Sequence, residues 1–255
     1  MKEEINIPTD LIKRVVDRLS GAKYAIAFTG AGISVESGIP SFRGADGLWS
    51  KYDPKILELD YFLSNPGKSW PVIKEIFYDH FTGAVPNAAH RLLAYLENKG
   101  ILKCVITQNI DSLHQRAGSR VVHCFHGDSG NLVCLKCDSR FPAEESYLHL
   151  EVRTCPHCNG VLKHDFIFFG ENIPSEVATL SFEAAEKADV VLVIGTTGEV
   201  YPAALIPQEA KSRGALIIEI NPEVSNFSTR VADIHIKATA VTAAHLLAKQ
   251  LDIKL

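Results

Sequence analysis

An α/β fold with a doubly wound parallel sheet is predicted by three features of this 255-residue sequence. Near-continuous apolar, β-branched runs recur along it, helical patterns separate them, and each run stops at a glycine-rich or polar loop. Such runs suit strands buried on both faces, where alternating patterns suit half-exposed ones. The strands are predicted over 25–29, ending at Gly30; 103–107, ending at Gln108-Asn109; 190–194, ending at Gly195; and 215–220, ending at Asn221-Pro222. Helices are predicted between and around them, over 8–20, 88–99, 175–187, 201–213 and 241–251. In a Rossmann-like sheet, ligands bind beyond the carboxyl ends of the strands, so the four loops propose a single site.

Two stretches interrupt the rhythm. Residues 47–86 are proline-punctuated and carry Trp49, Tyr52, Tyr61, Phe62, Trp70, Phe77, Tyr78 and Phe81, which reads as a helical lid. Residues 128–165 hold two cysteine pairs and read as a small inserted zinc-ribbon module. The sheet domain then comprises 1–46, 87–127 and 166–255.

Composition removes several classes. With 46% hydrophobic and 22% charged residues the chain is too apolar for disorder. No uncharged apolar run approaches the roughly 18 residues of a membrane span. Twenty-six basic against 30 acidic side chains give a net charge of −4, which argues against direct nucleic-acid binding. The N-terminus is charged throughout, unlike a signal or transit peptide. A cytoplasmic monomer with no membrane partner is expected.

Six cysteines without an export signal point to metal or free thiols. Cys134-x-x-Cys137 and Cys155-x-x-Cys158, seventeen residues apart, match a tetrahedral four-thiolate zinc site. One structural Zn²⁺ is expected, because four protein thiolates leave no open position for chemistry. His157, inside the second knuckle, is an alternative ligand. Cys104 and Cys124 fall in predicted strands and read as core residues.

Gly30, Ala31, Gly32 and Ile33 follow the first strand, where glycines let backbone approach a pyrophosphate. The spacing departs from G-x-G-x-x-G, so a tight packing turn and a nucleotide site both fit. Phe42, Arg43 and Trp49 favour the second, as an anion clamp and a ring wall. Gln108, Asn109 and Asp111 follow a buried strand, where polar groups either meet a ligand or cap a helix over 112–117. His126, ahead of Gly127, is the candidate base, since a neutral imidazole titrates near working pH. Its alternative is a structural histidine.

In order, GAGISVESGIPSFRGADGLW, TQNID, His126-Gly127, the two knuckles, FFGENIP and GTTGEVYPA resemble the sirtuin family of NAD-dependent protein lysine deacylases, in its small bacterial and archaeal form. The match runs from about residue 20 to about residue 240. The resemblance implies NAD as co-substrate, acetylated lysine in proteins or peptides as partner, nicotinamide release and acyl transfer to ADP-ribose. It implies His126, Asn109 and Asp111 as catalytic residues. Gly30, Ala31, Gly32, Ile33, Ile39, Phe42, Arg43, Trp49, Gln108, Ile110, Gly195, Thr196, Thr197, Asn221, Pro222, Glu223 and Ala238 would bind NAD. Ile167, Phe169, Gly170, Glu171, Gly198, Glu199 and Val200 would bind the acyl-lysine peptide as an added strand, with Ile110, Ile167 and Phe169 walling the acyl tunnel. Mono-ADP-ribosyl transfer to protein is the alternative activity, and a non-catalytic NAD sensor or zinc adaptor a third.

Three departures stand out. His164 occupies a place where the family usually has proline, and Thr197 replaces a serine but keeps the hydroxyl. The lid lacks the tyrosine–arginine pair of the subgroup that removes acidic acyl groups. Lys74 is the only cation near that place, so neutral acyl groups, acetyl first, are the expected substrates.

Overall fold

Ile12, Val15, Val16 and Leu19 recur at helical spacing and form the buried stripe of helix α1 (Thr9–Ser20). In the computed structural model, which describes residues 7–42, 47–79, 81, 83–144, 148 and 154–255, that stripe lies on a six-stranded sheet. Its strands are β1 (Ala25–Thr29), β2 (Leu102–Thr107), β3 (Val122–Cys124), β7 (Val190–Ile194), β8 (Leu216–Ile220) and β9 (Ile234–Ile236). They run in the order β3-β2-β1-β7-β8-β9, every pair parallel. This is the doubly wound order, with its switch point between β1 and β7.

All residues of β1 and β7 are buried, and their side chains divide alternately between two cores. Ala25, Ala27, Val190, Leu192 and Ile194 meet α1, α4 (Ala88–Asn98) and α9 (Ala240–Gln250) on one face. Ile26, Phe28, Val191 and Val193 meet α6 (Ser175–Lys187) and α7 (Leu205–Ser212) on the other. The continuous apolar runs have this origin.

A second sheet, in the order β5-β4-β6, is antiparallel: β4 (Gly127–Cys134), β5 (Arg140–Pro142) and β6 (Leu162–Phe166). It does not keep a core to itself. Leu132, Phe141, Leu162, Phe166 and Phe168 pack with Leu57, Phe62, Trp70, Ile73 and Phe77 of the lid. The segment predicted as a lid contains α2 (Leu59–Ser64) and α3 (Pro66–Ile73), the latter running into one π-helical turn over Lys74–Asp79. His164 is fully buried here, its ring 4.2 Å from that of Trp70 and its Nδ1 2.8 Å from the Tyr78 hydroxyl. It therefore ties β6 to the lid.

Two predicted helices are shorter than expected. Residues 201–204 turn through Leu205 N–H to Pro202 C=O and Ile206 N–H to Ala203 C=O, i→i+3 bonds that delay α7 to Leu205. The helix expected from Ser112 is only α5 (Leu113–Arg116), because Ser112 adopts a left-handed φ of 56°.

The loops after β1 and β7 interlock through backbone. Gly30 N–H donates to Ile194 C=O at 3.0 Å, and Gly32 N–H to Gly195 C=O at 2.8 Å. Gly195 has φ +64°, and a Cβ there would lie 2.4 Å from Ile33 N; one on Gly32 would lie 2.6 Å from Gly195 Cα. Gly195→Ala is expected to destabilise by about 2 kcal/mol or more, since the left-handed penalty and the clash add. Melting followed by circular dichroism should fall by roughly 4–8 °C.

Candidate active site and metal centre

The interlocked loops lie at the carboxyl edge of the sheet, at the switch point where a doubly wound fold leaves its ligand crevice. On the β7 side, Thr196 accepts from Gln108 Nε2 at 3.0 Å, and Asn221 Nδ2 reaches Thr196 C=O at 3.2 Å. Thr196 and Thr197 are half-buried; Pro222 and Glu223 are exposed, and Ala238 is fully buried. On the β1 side, Ile33 and Ile39 are buried, Ala31 and Trp49 half-buried, and Phe42 packs 5.3 Å from Trp49 and 6.0 Å from Phe77. The expected anion clamp, Arg43, lies outside the described residues.

β2 delivers the polar loop. Asn109 and Asp111 are buried, and Ile110 is buried between them. Asn109 Nδ2 donates to Gly30 C=O and to Ser34 Oγ, each at 3.2 Å. Asp111 accepts from the Ser34 hydroxyl at 2.7 Å and from Leu113 N–H at 2.9 Å. Asp111 thus binds the first N–H of α5 with one oxygen and the Ser34 hydroxyl with the other. Burial pushes its carboxyl up from the ordinary value, opposed by Ser34, Leu113 N–H and Asn109.

Behind this pair lies a polar layer that sequence reading missed. Thr29 and Thr107, paired across β1 and β2, share a 2.9 Å hydrogen bond. His114 Nε2 lies 2.9 Å from the Thr29 hydroxyl, and the His114 ring meets that of His90 edge-on at 4.9 Å. His90 Nδ1 accepts from Asn87 N–H at 3.3 Å, closing the cap of α4, while its Nε2 faces Ser34 Oγ at 3.5 Å. Because Ser34 gives its proton to Asp111, the Nε2–H tautomer of His90 fits both neighbours. Burial lowers His90 to about 4 and His114 to about 3. The signal available in the sequence was Asn87-x-x-His90, a capping box, together with threonines ending two neighbouring strands.

His126 leaves the end of β3 half-buried, with Nδ1 3.2 Å from Gln108 C=O. That contact makes Nδ1 the N–H and leaves Nε2 its lone pair. Burial lowers its pKa, and the Gln108 carbonyl partly offsets this. Ser129 binds Ile110 C=O through its hydroxyl at 2.7 Å and its N–H at 3.1 Å. Ser112 Oγ donates to Asp128 at 2.7 Å. The loops carrying Asp111 and His126 are therefore cross-linked.

Beyond β6, Ile167 N–H donates to His126 C=O at 2.8 Å. Phe169 N–H and C=O are taken by Leu57 C=O at 2.8 Å and Leu59 N–H at 3.0 Å. The added-strand expectation thus loses one residue: the lid already occupies Phe169's backbone. Phe169's side chain is 46% exposed, whereas Ile110 is buried and Ile167 half-buried. The Glu171 carboxylate accepts from Phe168 N–H at 2.6 Å and from Lys163 at 3.0 Å. Gly198 is buried over the Phe227 ring, Glu199 exposed and Val200 half-buried.

The four sulfurs of Cys134, Cys137, Cys155 and Cys158 lie within 4.8 Å of one another. Cys134 to Cys158 is 3.5 Å and Cys137 to Cys155 3.7 Å, close to the edge of about 3.8 Å that a tetrahedron of 2.3 Å Zn–S bonds requires. Lys136 N–H points at Cys134 Sγ and His157 N–H at Cys155 Sγ, each at 3.4 Å, and Asp138 and Asn159 end the knuckles with φ of 56°. The set fits zinc. The His157 ring instead lies 3.2 Å from Ser139 Oγ and 5.3 Å from the Phe141 ring. Cys104 is buried in β2, and Cys124 half-buried in β3.

Two outcomes are expected. Cys134→Ala should release about one zinc per chain, read by metal analysis, and lower the melting temperature. Above pH 6.5 the neutral His90 and His114 are at no disadvantage; below it the unfolded chain takes up protons that the folded one refuses. Stability should fall between pH 6.5 and 4 by about 1.4 kcal/mol per pH unit for each histidine. Urea titrations of His114→Gln should show one histidine's share of that slope removed.

A model described as "Sir2 family" matches residues 30–202. An NAD-dependent protein deacylase of Aeropyrum pernix is 44% identical over 236 residues, 92% of this chain and 95% of that protein. One of Thermococcus kodakarensis is 45% identical over 229 residues, covering 87% and 88%. Among solved structures, a Sir2–p53 peptide–NAD⁺ complex superposes with a TM-score of 0.89 at 33% identity, over 95% of this chain and 99% of that one. A Sir2 bound to a propionylated peptide gives 0.88 at 32% identity over the same shares. With its fold, crevice and thiolate cluster in place, this chain belongs to the Sir2 family.

Proposed function

We propose that the chain is an NAD-dependent protein lysine deacylase, releasing nicotinamide and forming 2′-O-acyl-ADP-ribose. The reading is carried by one juxtaposition: an imidazole with its Nε2 lone pair free to take a proton, cross-linked to a buried Asn109–Asp111 pair at the switch-point crevice. The relatives and solved complexes named above support it.

The dinucleotide fits the crevice, whose glycines bring backbone to the surface where side chains would otherwise stand. Gly30, Ala31, Gly32, Ile33, Gly195, Thr196 and Thr197 hold its phosphates and ribose, with Arg43. Asn221, Pro222, Glu223 and Ala238 hold the adenosine end. Asn109 and Asp111 orient nicotinamide, and Gln108 the neighbouring ribose. Ile39, Phe42 and Trp49 exclude water from the reacting carbon. His126 takes a proton from a ribose hydroxyl, so that the hydroxyl oxygen can accept the acyl group. The peptide backbone runs along Gly170 and Glu171 on one side and Gly198, Glu199 and Val200 on the other. Ile110 and Ile167 line the acyl path. Zinc holds the small sheet and takes no part in the chemistry.

Incubation with NAD and an acetyl-lysine peptide should release nicotinamide and yield acetyl-ADP-ribose by mass spectrometry; an added mass on the protein would instead identify ADP-ribosyl transfer. Acetyl peptide should be turned over faster than succinyl peptide. His126→Ala should reduce kcat by about 10²–10⁴-fold. Since burial keeps the imidazole neutral below its ordinary 6.5, the acid limb of the wild-type kcat profile should lie below that pH.

A further inference from the structure

Lys163 is a lysine in the interior, 3% exposed, and the chemistry above makes no use of it. Its three ammonium donors are all satisfied: by His164 C=O at 2.8 Å, by Phe166 C=O at 2.7 Å and by Glu171 Oε2 at 3.0 Å. The Phe168 ring lies beneath it at 4.3 Å. The same Glu171 oxygen accepts Phe168 N–H at 2.6 Å. One ion pair thus grips the chain at 164, 166, 168 and 171.

That chain has left its ladder. β6 ends at Phe166, and the next residues must follow one path without regular strand pairing. Between the gripped positions 166 and 168 lies Ile167, whose N–H donates to the carbonyl of His126. Just beyond lies Gly170, the segment's exposed turn at φ +90°. Buried ion pairs are a weak source of net stability, because desolvation offsets their attraction. Here the pair sits where geometry matters most, with the candidate base on one side and the peptide-binding edge on the other.

We infer that Lys163, through Glu171, is a positioning residue for deacylation: it sets the path of residues 167–171 so that the acyl-lysine backbone and His126 share one frame. The inference rests on the deacylase reading, and the experiment separates the two. If wild-type protein releases no nicotinamide with NAD and acetyl peptide, that reading fails; once release is seen, the remaining comparisons test the inference.

The variants are Lys163→Arg, which keeps the donors, and the double variant Lys163→Met with Glu171→Gln, which removes both charges but keeps an acceptor for Phe168 N–H. The double variant should retain zinc and its far-ultraviolet spectrum. Its KM for acetyl peptide should rise about tenfold or more, with KM for NAD within twofold of wild type. Lys163→Arg should recover most of the peptide affinity. An unchanged peptide KM and kcat in the folded double variant would overturn the inference, as would an equal rise in both KM values, which marks general loosening. A double variant that does not fold would assign the pair to stability and overturn it equally.

Discussion

Two loops leaving adjacent parallel strands occupy the same space at the switch point, and that contact governs the crevice. A side chain on Gly32 or Gly195 would drive them apart, and Thr196, Gln108 and Asn109 would lose their shared frame. Backbone contact also sets the chemistry of the surface. It leaves shallow, polar, main-chain-lined ground where an anionic ligand can approach closely. The apolar layers on both faces of the sheet hold the strands that deliver these loops, so the large cores act on function through a few glycine contacts.

Below that surface the protein keeps a layer of polar side chains almost wholly out of water. Thr29, Thr107, His90, His114, Ser34, Asn109 and Asp111 form linked hydrogen bonds in which each neighbour restricts the next. Unpaired, any of them would carry a desolvation penalty of about 1–3 kcal/mol. His114 Nδ1 is such a case, buried without a hydrogen-bond partner among the described residues. Linked, they fix tautomers and rotamers beneath Asn109 and Asp111, at the expense of tolerance to acid. Rigidity under the crevice and sensitivity to protonation are one property of the same layer.

Much of this was legible in the sequence, for identifiable reasons. The four central strands could be read because burial on both faces leaves few polar positions, such as Lys103 and Glu219, to break the pattern. The cysteine pairs could be read because two residues between thiolates is a geometric requirement of one ion. The rest depended on topology. Ser34, His90 and His114 are scattered over eighty residues and only the sheet order brings them together. β5 has three residues, two of them exposed, too few for any periodicity. Lys163 resembles any surface lysine until its three carbonyl and carboxylate partners are known. Phe169 was expected to pair its backbone with a peptide, yet that backbone is bonded to Leu57 and Leu59, which are more than a hundred residues away in sequence.

The apolar cluster shared by the lid and the small sheet includes Cys134 and Cys155 alongside Leu57, Phe62 and Trp70. An ion that orders those cysteines also orders the platform on which the lid rests. Metal binding at the thiolate site and packing of helices α2 and α3 are then thermodynamically reciprocal: whatever favours one favours the other by the same free energy. A metal held by four thiolates would thus reach the crevice only at second hand, as ballast for the apolar cluster its ligands share.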